Sequence, residues 1–349
     1  MGIENKRNDY IDFLKGIGIF LVILGHHNDP FTGWTGWIYS FHMPFFFILS
    51  GVFHNNGKNY YEFVKKKAKG LLIPYYTFAT ILFMFWLVIG RKFGQAAINK
   101  TPIKECLIGI FYGTHVKGFS SLEWEMPLWF LLCLFVVSNM FYFLSKLSIK
   151  KVIFIEICFV IIAKISRDYI PIELPWSFQR ALVDVSFYSL GYYGRDFIKD
   201  ENGKKYSLLK GMFFILLNIL IYLNDDKFNI LGKYHFYTVY LIGGLFGSLG
   251  IIEIFKNIKT NKKINKKIEY LGRNSLILLA FHSRAMTFIK FVFMFILHKT
   301  MIEGNLLIDF IYSILQVIVC IPIIEIINKY FYFVLGKKKR VKIDDLEKI

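Results

Sequence analysis

Long apolar runs separated by short basic interruptions recur along the whole chain. Ten runs read as membrane-crossing helices: 13–27, 37–53, 71–90, 128–145, 152–165, 182–194, 208–223, 236–255, 275–297 and 306–335. A helix needs about 17–25 mostly apolar residues to cross the hydrocarbon core, so the shorter runs require amphipathic ends. The fifth and sixth runs are the shortest, and Pro171 and Pro175 fall between them. The pattern predicts an all-α polytopic membrane protein, one membrane-embedded domain over residues 1–349 ending in a basic tail at 336–349.

Charge supports this pattern. The chain has 349 residues, 55% of them hydrophobic, and a formal net charge of +18. A nucleic-acid binder of this charge would spread its basic residues over amphipathic surfaces, whereas here they cluster between apolar blocks, so no nucleic-acid partner is expected. With the amino terminus in the cytosol and the loops alternating, 28 basic residues fall inside and 11 outside. That bias follows the positive-inside rule and predicts both termini to be cytosolic, with the lipid bilayer as the protein's surroundings. Lys6 and Arg7 precede an apolar run without a small-residue cleavage site, so this run reads as a retained first helix. Cys106, Cys133, Cys158 and Cys320 have no paired spacing and read as small buried hydrophobes, with no disulfide framework and no metal site expected.

Polar residues within the apolar runs are the candidates for chemistry, because ionisable groups are costly at membrane depth. In the first run, Asp12, Lys15 and His26 share one helical stripe with Ile19, Val22 and Ile23. The eleven steps from Lys15 to His26 span about 16 Å of helix. A cation near the cytosolic rim and a general base towards the outer side would suit a tunnel. The alternative is that Lys15 snorkels to headgroups while His26 bonds a neighbouring helix. Gly16 and Gly18 read as close-packing positions.

His42 enters the second run from outside at a depth like that of His26, either as its orienting partner or as a helix-to-helix hydrogen bonder. Pro44 is expected to kink or end the helix there. In the ninth run His282 and Arg284 fall in the inner half, where Arg284 needs a carboxylate, a phosphate or water; Asp184 and Asp309 are the carboxylates available. His54 reads as an interfacial bystander. The outer segment 91–127 contains an amphipathic piece at 106–113 and is long enough to pack back onto a site.

Five segments in order carry a resemblance to a known family. They are Tyr10-Ile11-Asp12-Phe13-Leu14-Lys15-Gly16 through Gly25-His26, Ser40-Phe41-His42-Met43-Pro44 through Ser50-Gly51, Leu71-Leu72-Ile73-Pro74-Tyr75, Pro127-Leu128-Trp129-Phe130-Leu131, and Leu271-Gly272-Arg273-Asn274-Ser275-Leu276 with His282 beyond. Together they resemble the acyltransferase 3 family of bacterial membrane O-acyltransferases, and most closely its fucose 4-O-acetylase-like branch. One segment departs from the pattern. Members carry an R-x-x-R pair before the proline of the third span, whereas this chain reads Lys65-Lys66-Lys67-Ala68-Lys69-Gly70. Lysine can meet phosphate as a point charge but lacks arginine's bidentate fork.

The resemblance implies a bacterial plasma-membrane enzyme moving an acyl group, usually acetyl from cytosolic acetyl-CoA, onto a sugar hydroxyl. On that reading Lys15 and His26 take the positions of the family's essential cation and histidine. The donor's phosphates are expected on Lys66, Lys67 and Lys69, with Lys15 or Arg284 and His282 completing the donor site. His26 then serves as general base or acyl carrier, with His42 as its orienting partner, while Asp12 holds Lys15 or helps set the local field. Glu123, Trp124 and Glu125, with Trp34, Trp37 and Trp129, are the expected contacts for a glycan or lipid-linked sugar acceptor. Other membrane proteins of polysaccharide biosynthesis are expected partners. No large soluble domain follows the tenth run, so transfer is expected in the membrane domain or through a separate protein. The rival readings are a transporter or flippase of a polysaccharide intermediate, which inverted repeats would favour, and a sensor with a degenerate site.

Overall fold

The computed structural model describes residues 8–27, 33–92, 100–121, 126–170, 172–200, 206–224, 237–257, 261–298 and 305–337. Among these residues the regular structure is helical, with one isolated bridge between Val116 and Ser120. The chain is an all-α membrane protein.

Helix α1 spans Asp9–Gly25; Asn8 caps it by accepting from the Ile11 amide, and Asp9 and Asp12 face the positive end of its dipole. The second apolar run is two helices, α2 at Gly33–Tyr39 and α3 at His42–Gly51. Pro44 explains the break. In a continuous helix its ring would meet the carbonyl of Ser40, four residues back, so the helix restarts at His42. The expected kink at Pro44 is thus a break upstream of it, and Pro44 itself sits in the first turn, where its missing N–H forfeits no helical bond.

Helix α4 (Tyr60–Val88) is capped by Asn59, and α5 (Ile103–Tyr112) ends on Gly113 in a left-handed conformation, φ +76°. The amphipathic piece of the outer segment is therefore helical. It packs back on α4, the Tyr75 hydroxyl donating to the Ile110 carbonyl at 3.0 Å. Next come α6 (Trp129–Leu144), α7 (Ile149–Tyr169), α8 (Phe178–Tyr193) and the short α9 (Arg195–Lys199). The chain continues through α10 (Ser207–Asn224), α11 (Tyr237–Asn257), α12 (Lys262–Arg273), α13 (Ser275–Phe291, extended by a π turn to Ile296) and α14 (Leu306–Tyr330). Helix α12 corrects the reading of 256–273 as a loop. Its lysines share a helical period with Ile264, Ile268 and Leu271, so one face is basic and the other apolar.

Among the described residues, four helices are long and apolar enough to cross a membrane unaided: Tyr60–Lys92, Ser207–Asn224, Ser275–Ile296 and Leu306–Tyr330. Outward faces such as Phe154, Ile157, Ile161 and Ile165 on α7, and Leu209, Met212, Leu216 and Leu220 on α10, are largely exposed. Apolar belts of this size belong against lipid, not water.

The short α3 has the opposite surroundings. Gly51 and Gly191 let α3 and α8 meet backbone to backbone, and Gly244 and Gly247 of α11 receive Pro44 and Phe41. At the α2–α3 break, the buried Asn218 of α10 accepts from Trp37 Nε1 at 2.6 Å and donates to Ser40 Oγ at 3.0 Å and the Gly243 carbonyl at 2.8 Å. Trp37, expected at the acceptor, is in part a staple for this break.

Candidate active site

The amino-terminal half of α1 is locked against α12. Alanine at Gly272 would place its Cβ inside the van der Waals shell of the Asp12 carbonyl, and at Gly16 inside that of the Ile268 carbonyl. Asp12 receives Arg273 Nε at 3.3 Å, and the same guanidinium reaches Asp9 at 2.8 Å and Glu269 at 3.2 Å. Asp12, read from sequence as a companion of Lys15, thus also anchors Arg273. That partner is 261 positions away in the sequence and follows from no local pattern.

His26 caps α1 ten residues beyond Gly16, and His282 lies seven residues beyond Ser275, where α13 opens after the break at Asn274. The two rings meet, with centroids 5.0 Å apart and planes near perpendicular. His282 was expected in the inner half beside the donor's phosphates, but its ring meets that of His26, seven residues into α13. His42, opening α3, is 6.3 Å from His26, as their shared depth suggested. Tyr39 closes the group, its ring 5.3 Å from His26 and 4.7 Å from His42.

All three imidazoles are held the same way. Nδ1 of His26 lies 2.6 Å from the Val22 carbonyl, Nδ1 of His42 3.0 Å from that of Ile38, and Nδ1 of His282 2.9 Å from that of Leu278. A carbonyl only accepts, so each neutral ring carries its proton on Nδ1 and its lone pair on Nε2. His42 and His282 are buried, His282 completely, while His26 is half-exposed at the end of α1. The arrangement can take a proton at Nε2 in a site walled by uncharged rings.

The mouth around Lys15 is built differently. Lys15 Nζ lies 4.9 Å from the centroid of Phe53, and Lys199 Nζ is 5.7 Å from the same ring, which is 46% exposed. The α4 lysines divide. Lys67 turns inward and donates to the Tyr188 hydroxyl at 3.1 Å, whereas Lys66 and Lys69 are exposed. Lys65 and Lys69 instead border an outward groove of about 540 Å³ with Leu72, Ile73 and Tyr76.

His54 is no bystander. It is buried, Nδ1 accepting from the Tyr188 hydroxyl at 3.0 Å and Nε2 donating to Asn56 at 2.7 Å. Burial pushes its pKa down from 6.5 to about 4, opposed by the Asn56 bond and reinforced by the Lys67 charge. Sequence alone offered no sign of this, because the partner hydroxyl comes from α8.

The remaining expected residues lie elsewhere. Arg284 places its guanidinium 5.9 Å from the Phe85 ring on α4. Asp184, offered as its partner, instead accepts from the Tyr240 hydroxyl at 2.9 Å and contacts Cys133 at 3.9 Å. Trp129 opens α6 beneath the Arg180 guanidinium, 4.9 Å from its ring. Glu123, Trp124 and Glu125 lie outside the described residues. No group of three or more metal-ligating side chains is placed to hold an ion among the described residues.

Fold and site together define a helical membrane protein with a buried histidine cluster above a basic mouth. The family model described as an acyltransferase domain matches residues 8–325, and the chain belongs to this acyltransferase 3 family. No curated protein matches the chain, and no solved structure does.

Proposed function

We propose that the protein transfers an acetyl group from cytosolic acetyl-CoA to a hydroxyl of a cell-surface or lipid-linked glycan, as the fucose 4-O-acetylase-like branch implies. The observation that carries this reading is the group of three imidazoles, each tethered through Nδ1 to a backbone carbonyl so that Nε2 can accept a proton. His26 Nε2 takes the proton of the acceptor hydroxyl while that oxygen attacks the thioester carbonyl carbon. The carbon–sulfur bond then breaks, and His26 returns the proton to the departing thiolate, leaving an ester and free CoA. His282 and His42 keep the surroundings of His26 uncharged and fix its orientation.

The ammonium groups of Lys15, Lys67 and Lys199 fit a donor with several phosphates, and the exposed Phe53 ring beside them fits its base. Lys15 lies below His26 on α1, so the stripe between them would guide the donor's extended arm towards the base. This reading takes ten spans in a bacterial plasma membrane with both termini cytosolic. Lys66 and Lys69 are second-line contacts to the phosphates, Arg284 stands beside His282 at the level of the histidines, and Trp129 is a contact for the sugar.

The purified protein in detergent tests the reading. Free CoA should appear from acetyl-CoA faster when a glycan extract of host membranes is added, with acetyl recovered in the glycan. Movement of glycan across a vesicle membrane without loss of acetyl-CoA would make the chain a transporter instead.

A further inference from the structure

The residue beside His26 faces a second polar site that the mechanism above leaves unused. α14 is strongly apolar, yet Asp309, Tyr312, Ser313 and Gln316 form a single buried stripe at helical spacing. Ser313 is fully buried and Gln316 is 2% exposed. Such groups inside a membrane are expensive unless they meet partners or serve a ligand.

Their meeting point is His27 Nε2. Ser313 Oγ lies 3.0 Å from this nitrogen and Gln316 Nε2 lies 2.8 Å from it. The Ser313 proton is already committed to the Asp309 carbonyl at 2.8 Å. One imidazole nitrogen carries either a proton or a lone pair. With a proton it serves the Ser313 oxygen, and the Gln316 N–H faces another N–H. With a lone pair it serves Gln316, and Ser313 lacks a donor. Turning the Gln316 amide puts two acceptors on one proton. In each state one hydrogen-bonding position of the cluster, a donor or an acceptor facing His27, stays open. A hydroxyl, which donates and accepts at once, completes any of these states. The Tyr312 ring stacks on His27 at 6.3 Å and holds the imidazole in place, and His27 is half-exposed, so the cluster meets the surface there.

We infer that His27, Ser313 and Gln316 form a subsite for a second hydroxyl of the acceptor, beside the hydroxyl that His26 activates. This rests on the acyltransferase reading and sharpens it: the acceptor is a polyol such as a sugar, held by two of its hydroxyls, and this grip selects the oxygen that is acylated.

The test uses purified full-length protein, labelled acetyl-CoA, and as acceptor a detergent extract of host membranes from which the chain has been deleted. Ser313→Ala and Gln316→Leu should each raise the amount of extract giving half-maximal acetyl transfer by about tenfold. The acetyl-CoA giving half-maximal rate should stay put, and Ser313→Thr, which keeps the hydroxyl, should restore the acceptor value. Unchanged half-saturation by extract overturns the subsite, as does a fall in maximal rate or thermal midpoint alone, which marks a packing role. If the wild-type protein moves no acetyl into the extract, the acyltransferase reading itself fails.

Discussion

The two ends of α1 handle polarity in opposite ways. At its carboxyl-terminal end His26, His42 and His282 are rings anchored by backbone carbonyls and packed against one another. Towards its amino-terminal end, Lys15 and Lys199 reach over one exposed ring while Asp9 and Asp12 share a partly exposed arginine. A proton acceptor must hold its geometry before the reacting groups arrive, and carbonyl tethers provide that without importing charge. Phosphate-binding cations need reach instead, since a long flexible donor arrives from water and lysine stems can adapt to it. Under the proposed function, the histidine end of α1 serves chemistry and the lysine end grips the donor.

The first way to break this division is at the crossing that sets the register of both ends. Gly272→Ala forces a Cβ into the Asp12 carbonyl and should cost about 3 kcal/mol, since neither backbone can give way. The expected result is a clearly lower thermal midpoint in detergent with transfer activity lost. An unchanged midpoint would mean that α1 and α12 do not meet as described.

Next in size is the difference between inward and outward lysines. Removing Lys15 or Lys67, which face the mouth, should raise the KM for acetyl-CoA about tenfold, the loss of a charged hydrogen bond. Removing the exposed Lys66 should change it less than about twofold. Equal effects from all three would show that the cluster acts as a diffuse field rather than through Lys67.

A third effect, read on stability and not on activity, is a pH dependence at His54. In the unfolded chain this imidazole gains a proton as pH falls through 6.5, whereas burial holds that off in the folded state until about 4. Its contribution is therefore complete above about 6.5 and is lost as pH falls from there to 4, by up to about 1.4 kcal/mol per pH unit. Unfolding midpoints at pH 7.5 and 5 should differ less for His54→Gln than for the wild type.

Much of the site was legible because single helices obey simple geometry. The shared stripe of Asp12, Lys15 and His26 needs only 100° per residue, and α1 is one continuous helix over those positions. The common depth of His26 and His42 followed from counting inward from the same outer surface. What was not legible depends on how helices meet. That His282 joins His26 follows only from the packing of α13 against α1, and the Gly16–Gly272 contact was hidden because α12 was read as a loop. Arg273, Tyr39 and Tyr188 came into view only as tertiary partners. The polar stripe of α14 was hidden for another reason: Ser313 and Gln316 are common polar residues, and only their convergence on His27 gives them meaning.

The central claim is that His26 Nε2 takes the acceptor's proton, and a comparison of His26→Ala with the wild type tests it most directly. With both proteins showing the same thermal midpoint, the initial rate of labelled acetyl transfer from acetyl-CoA to host-membrane glycan is measured per mole of protein. Loss of a positioned general base should lower that rate by about 10²–10⁴-fold, with the KM for acetyl-CoA little changed. A folded His26→Ala protein that acylates at the wild-type rate would contradict the account.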